Sequence, residues 1–430
     1  MKRVPMFGTS SIRPLKTNYS RMKKSLIVLG TLFLVLTLGA APKVKTGIEV
    51  LRADGFKLLA GKRVGLITNP TGVDSKLKST IDILNEVPNV KLVALFGPEH
   101  GVRGDMYAGD QVETTIDSQT GVPVYSLYGK TKKPTPEMLR NVDVLVYDIQ
   151  DIGCRSYTFV STLGLAMEAA AENNIPIVVL DRPNPLGGLK IEGNLPEDKF
   201  ISFVSQFKIP YLYGLTCGEL ARLLNNERVI GKPCQLTVVP MKGWHRKMTF
   251  QQTGLPWVLS SPHIPHATTP EFYAASGILG ELGVMSIGVG YTLPFELFAK
   301  DSIDAEQFSH QMNDLHLAGV LFRPIDFQPF YAVGKGQHYE GVQLYITDYS
   351  KVRLTEIQFY VMQVLSAMYP HFSFFSKDFA SRFSMFDKVC GSDQIRLLLS
   401  KRMQVNDMLP FWRKDEVSFR KIAKKYYLYH

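Results

Sequence analysis

The chain has 430 residues, 45% hydrophobic, 20% charged and 11% aromatic, enough apolar material for one or two large cores and unlike a disordered, collagenous or coiled-coil chain. Its formal charge of +10 is concentrated at the start: residues 1–41 hold Lys2, Arg3, Arg13, Lys16, Arg21, Lys23 and Lys24 and no acid, leaving 42 basic and 39 acidic residues, a net of +3, for the remainder. So even a balance offers no basic footprint for nucleic acid.

Lys23 and Lys24 precede an apolar run from Leu26 to Leu38 that ends in Gly39, Ala40 and Ala41. Charge, hydrophobe and small residues in that order make a secretory signal peptide, and the run is shorter than the roughly 20 residues that cross a bilayer. Residues 1–41 are read as this leader, with a long polar segment or an over-extended start before Met22. The body is then exported, to the periplasm or beyond, with no stable membrane span once the leader is removed.

From Lys62 to about Asn194, short apolar runs alternate with helical stretches. Arg63–Thr68, Val90–Phe96, Val142–Ile149 and Ile175–Leu180 read as strands buried on both faces, and Ser79–Glu86 and Thr162–Asn173 as helices. Alternation of this kind predicts right-handed crossovers and an α/β fold with a doubly wound, mostly parallel sheet, whose ligand lies beyond the carboxyl ends of the strands. Four segments stand there: Asn69-Pro70-Thr71-Gly72, Gly97-Pro98-Glu99-His100-Gly101, Asp148 to Arg155, and Asp181-Arg182-Pro183-Asn184. Turn chemistry explains their Gly, Pro and Asn residues; it does not call for Glu, His, Asp and Arg together.

Glu99, on a turn at the sheet edge, has two readings: a partly desolvated carboxyl that serves as a general acid, or a cap on the following turn. His100 orients it, binds substrate or satisfies a buried carbonyl. Asp148, Asp151, Arg155 and Tyr157 form a second group that suits a sugar or an anion, or else an ion pair that fixes its own loop, and Asp181-Arg182 pose the same choice.

Beyond Asn194, Thr216–Asn225 reads as a helix opened by a capping box of Thr216 and Glu219, and residues 254–271 as a Pro-rich loop in which Trp257 and His263 could line a cleft. Gly341–Thr347 alternates as a strand, Thr355–Met368 is helical, and Phe411–His430 is a basic, aromatic-rich helix. A boundary near Lys300 divides a domain over 44–300 from a smaller α+β domain over 301–430. There is no GxGxxG after the first strand, no GxxxxGK[ST], no GxSxG and no HExxH, so nucleotide, P-loop, serine-hydrolase and zincin chemistry are disfavoured, and no metal or other cofactor is expected. Cys154, Cys217, Cys234 and Cys390 show no zinc spacing and read as buried thiols, although export permits a disulfide.

The segments NPTG, FGPEHGVRGD, YDIQDIGCRSYTF, VLDRPNPLGG, TCGELARLLN and GLPWVLSSP, with the terminal KKYYLYH, resemble in this order the exported NamZ-like exo-β-N-acetylmuramidases, over about Gly47 to Tyr429. The resemblance implies a Rossmann-like domain without nucleotide, a smaller C-terminal domain and a cleft between them. It also implies release of N-acetylmuramic acid from the non-reducing ends of peptidoglycan fragments, with amino sugars or muropeptides as the only partners. Glu99 becomes the leading catalytic carboxyl, Asp148 or Asp151 its partner and His100 an assistant. Arg103, Arg155 and Arg182 become candidates for the lactyl carboxylate, and Asn69, Tyr157, Asp181, Asn184, Trp257 and His263 further substrate contacts. The sequence departs from the family pattern where Ile287-Gly288-Val289 replaces Glu-Gly-Arg, where His263 stands for the Asn of an SPN turn, and where Leu212-Tyr213 stands for an Arg-His pair. These changes imply an altered subsite, and they motivate the alternatives of a related glycosidase of different specificity or a noncatalytic glycan-binding protein.

Overall fold

Seven strands form the main sheet: β1 (Arg63–Thr68), β2 (Lys91–Gly97), β3 (Thr115–Ile116), β4 (Pro123–Ser126), β5 (Val144–Asp148), β6 (Ile177–Leu180) and β7 (Leu236–Val239). Their order is β3-β4-β2-β1-β5-β6-β7, and every pairing is parallel except β3 with β4. This is the structure of residues 44–104 and 115–430, obtained as a computed structural model; the expected leader lies outside the described residues. The described residues form one compact unit.

The continuous apolar runs have a simple cause. In β1, Leu66 packs into one core layer with Ile48 and Leu84, whereas its neighbour Ile67 enters the opposite layer with Phe96 and Leu163. Val146 and Tyr147 of β5 divide the same way. Both faces are covered, so neither can be polar. The covering helices include Thr80–Glu86, Phe159–Asn173 and Cys217–Asn226, the last opened by the expected Thr216/Glu219 capping box. The chain steps outward from β1 to β2 and β4, then returns to the other side of β1 as β5, so the topological switch lies between β1 and β5.

A second, antiparallel sheet has the order β8-β10-β9, from β8 (Leu297–Lys300), β9 (Val320–Phe327) and β10 (Tyr339–Ile346). The expected boundary near Lys300 thus falls at the end of β8, with its partner strands beyond it. Helices Thr269–Gly280, Ala305–Asp314 and Ile357–Met368 contribute to the core around this sheet. The basic tail is two short helices, Val405–Arg413 and Glu416–Ala423, and a final turn rather than one helix. Trp412 plugs it into the core, donating its indole N–H to Thr355 Oγ1 at 3.0 Å. All four cysteines are buried and unbridged.

Candidate active site

Pro98 to Gly101 make a tight turn directly after β2, closed by Gly101 N–H donating to the Pro98 carbonyl at 3.0 Å. His100 takes φ 73°, the left-handed conformation that the third position of a type II turn requires, at a cost of roughly 1–2 kcal/mol for a residue with a Cβ. The turn holds Glu99 beside Thr158, which donates its hydroxyl to Glu99 Oε2 at 3.0 Å. Thr158 occupies the N-cap of the 15-residue Phe159–Asn173 helix yet makes no capping bond with its side chain. That hydroxyl serves the carboxylate instead, and the positive end of the helix favours an anion there. Tyr128 lies close by: its phenol is pushed up to about 12 by burial and then by the neighbouring Glu99.

Glu99 opens into a cavity of about 730 Å³ between the sheet region and the C-terminal half. His100, Tyr157 and His263 line it. Tyr157 bonds Ser260 Oγ at 2.7 Å and meets Tyr273 edge to face, ring centroids 5.8 Å apart. His263 stacks on Tyr331, shares a 2.9 Å hydrogen bond with its hydroxyl, and is drawn below the usual imidazole range by burial and then by His100. Across the cavity the wall is apolar, and both Ile287 and Val289 are in it. At the mouth Lys132 sits over the Phe203 ring, 4.9 Å from its centroid, and Phe203 in turn neighbours Tyr128. Among the described residues lining the cavity, Lys132 is the one Lys or Arg.

The remaining sequence candidates are spent on the protein itself. Asp148 is locked in a buried pair with Arg182, whose Nε and Nη2 lie 2.5 and 3.0 Å from its two oxygens, and Thr80 donates to the same carboxylate. Arg182 also donates to the Val73 carbonyl and, with Thr71, Asp74 and Gln150, lines a small recess at the β1/β5 switch. Asp151 is buried, accepts from Tyr213 and from Gly153 N–H, and does not line the cavity; burial raises it to about 6. Arg155 is 1% exposed and gives its donors to Ser205 and to the carbonyls of Asn194, Ile209 and Val389, tying the two halves together. Arg103 grips Asp117 through two 3.0 Å bonds. Asp181 accepts from Thr216, Gly218 and Tyr429 at the start of the Cys217–Asn226 helix. Asn69 and Asn184 stabilise their own turns through Thr71 and Leu186, and Trp257 donates to the Ile264 carbonyl within its loop. None of these nine residues lines the cavity.

Residues 64–268 match the N-terminal and residues 271–429 the C-terminal model of exo-β-N-acetylmuramidase NamZ. The chain belongs to this family. It is 49% identical to the peptidoglycan β-N-acetylmuramidase NamZ of Bacillus subtilis (strain 168) over 389 residues, 90% of this chain and 92% of that one. Two solved structures of DUF1343 family proteins from Bacteroides fragilis NCTC 9343 share the fold. One, at 62% identity, has a TM-score of 0.87 over 91% of this chain and 100% of that chain; the other, at 27%, scores 0.70 over 90% and 99%.

Within that family frame, the departures noted in the sequence separate by location. Ile287 and Val289 are cavity wall, as is His263, whereas Leu212 and Tyr213 are core. Tyr128, Lys132, Thr158 and Glu281 also line the cavity and were not singled out by sequence. Thr158 was findable, because it precedes the apolar face of a strongly patterned helix at the end of the YDIQDIGCRSYTF segment. Tyr128, Lys132 and Glu281 follow no motif that spacing reveals.

Proposed function

We propose that this chain is an exo-acting glycoside hydrolase that releases N-acetylmuramic acid from the non-reducing ends of peptidoglycan fragments, with Glu99 as a catalytic carboxyl. The observation that carries the reading is Glu99 held by Thr158 with Tyr128 beside it on the same wall, and with no cation paired to it among the described residues, in a cavity of sugar-binding size. Cleaving a glycosidic bond requires a carboxyl group fixed at the anomeric centre, and a carboxylate oriented by a hydroxyl is free to act as one. The rings of Tyr128, Tyr157 and Phe203 supply apolar faces for a pyranose. Lys132 is assigned to the lactyl carboxylate, the charge that distinguishes N-acetylmuramic acid from N-acetylglucosamine.

The leader read in residues 1–41 supports export to the periplasm or the outside, where wall fragments are found. The noncatalytic alternative rested on the lost charges at Ile287 and Val289; those positions wall the cavity but leave the Glu99 arrangement in place. The test is product analysis with defined oligomers that alternate N-acetylglucosamine and N-acetylmuramic acid. Single N-acetylmuramic acid released only from chains bearing it at the non-reducing end is the expected result. Internal cleavage, or binding without turnover, would reject the reading.

A further inference from the structure

Hydrolysis by this site needs a second group. The C1–O bond breaks with its electron pair going to the leaving oxygen, which must take a proton, while water adds to C1 and must lose one. Asp148 and Asp151, the sequence candidates for this partner, are excluded by their placement, the first sealed in its arginine pair and the second behind Tyr213. Among the described residues lining the cavity only one other carboxyl exists, and it is Glu281.

Glu281 lies one residue beyond the Thr269–Gly280 helix, on a turn that Gly283 completes at φ 64°. Ile287 folds back onto Gly280, so close that a Cβ there would stand 2.4 Å from Ile287 Cδ1, and this contact places the apolar wall beside the carboxyl. No described residue donates a hydrogen bond to the Glu281 carboxyl or forms an ion pair with it. Burial holds it above the usual carboxylate range, opposed only by the more distant charge of Arg382. The cavity that both carboxyls line also carries Tyr157 and Tyr273, edge to face with ring centroids 5.8 Å apart. Tyr273 is fixed in turn by a 3.0 Å hydrogen bond to Ser156. One carboxyl thus accepts a threonine hydroxyl and the other lies against an apolar wall, and such unlike surroundings are how paired carboxyls divide acid and base work.

We propose that Glu281 is the second catalytic carboxyl of this cavity, donating its proton to the leaving oxygen while Glu99 takes the proton of the attacking water. Exchange with solvent then restores both groups. The proposal rests on the glycosidase reading above and adds the residue which that reading lacks.

The experiment compares wild type, Glu281→Gln and Glu99→Gln on two substrates: N-acetylmuramyl-β-1,4-N-acetylglucosamine, whose leaving oxygen needs a proton, and 2,4-dinitrophenyl β-N-acetylmuramide, whose leaving group needs none. Glu281→Gln is expected to lose about 10²- to 10⁴-fold in kcat on the disaccharide and less than about tenfold on the dinitrophenyl substrate, whereas Glu99→Gln loses both. Disaccharide hydrolysis by Glu281→Gln within threefold of wild type would overturn the proposal, as would an equal loss on both substrates at unchanged melting temperature, since that marks a binding role. Should Glu281→Gln fail to fold, Glu281→Ala, which also lacks the proton donor, carries the same comparison. Wild type inert on both substrates would instead bring down the glycosidase reading, and this proposal with it.

Discussion

At the end of β2 a carboxylate meets a threonine hydroxyl and an open cavity; at the ends of β5 and β6 another meets an arginine and a threonine, away from that cavity. Both lie on the carboxyl edge of one sheet, and the residue types alone do not tell them apart. What separates them is the company supplied by the rest of the chain. The N-terminus of the Thr80–Glu86 helix and the Val73 carbonyl close over Asp148 and Arg182, whereas the Phe159–Asn173 helix directs its N-cap hydroxyl at Glu99 and leaves the other side open. A charged group that has found all its partners within the fold gives stability, and one left with room beside it gives chemistry.

That contrast can be broken by experiment. The largest effect belongs to Glu99→Gln, which should lower kcat for N-acetylmuramic acid release by about 10²- to 10⁴-fold with no loss of thermal stability. A fall in melting temperature comparable to that of a core substitution would place Glu99 in the structural class instead. Asp148→Asn is the converse: stranding Arg182 should cost about 3–5 kcal/mol in urea unfolding while the remaining folded enzyme keeps its turnover. Loss of turnover in protein still fully folded would move Asp148 back into the catalytic set.

Lys132→Met should raise KM for a muramide roughly tenfold with kcat little changed, and leave any slow hydrolysis of the matching glucosaminide unaltered. An identical effect on both sugars would remove the lactyl assignment. The smallest signal is a slope. Burial raises Asp181 to about 6, outweighing its hydrogen-bond donors, so between pH 4 and 6 the folded state holds a proton that the unfolded state has released. Its contribution is therefore most favourable below pH 4 and is lost as pH rises to about 6. The urea midpoint of wild type should fall across that window relative to that of Asp181→Asn, and parallel curves would refute the assignment.

The sheet was legible because burial on both faces writes itself into strands such as RVGLIT and VLVYD as unbroken apolar runs. The edge that carries Glu99 was legible too, through the surplus of charged residues there. Which of those charges face the cavity was not, because Arg155 reaches carbonyls as far along the chain as Val389 and Arg103 pairs with Asp117 across a different loop. Local spacing holds no record of such partners. Tyr128 and Lys132 lie just past the short strand β4 in a stretch without periodicity, and Glu281 reads as an ordinary helix end until the fold brings it to the cavity that Glu99 lines. Ile287 and Val289 are the opposite case: the lost charges were visible in the sequence, and the structure shows the wall they produce.

The four unbridged thiols give the molecule an unfolding gauge of its own. Desolvation lifts Cys154, Cys217 and Cys390 well above the usual thiol range and Cys234 to about 11, so an alkylating reagent finds almost no thiolate until the structure opens. Three of these sulfurs are spread over both halves of the chain and the fourth, Cys234, sits just before β7, so counting modified positions by mass would report which part loosens first as each variant is stressed.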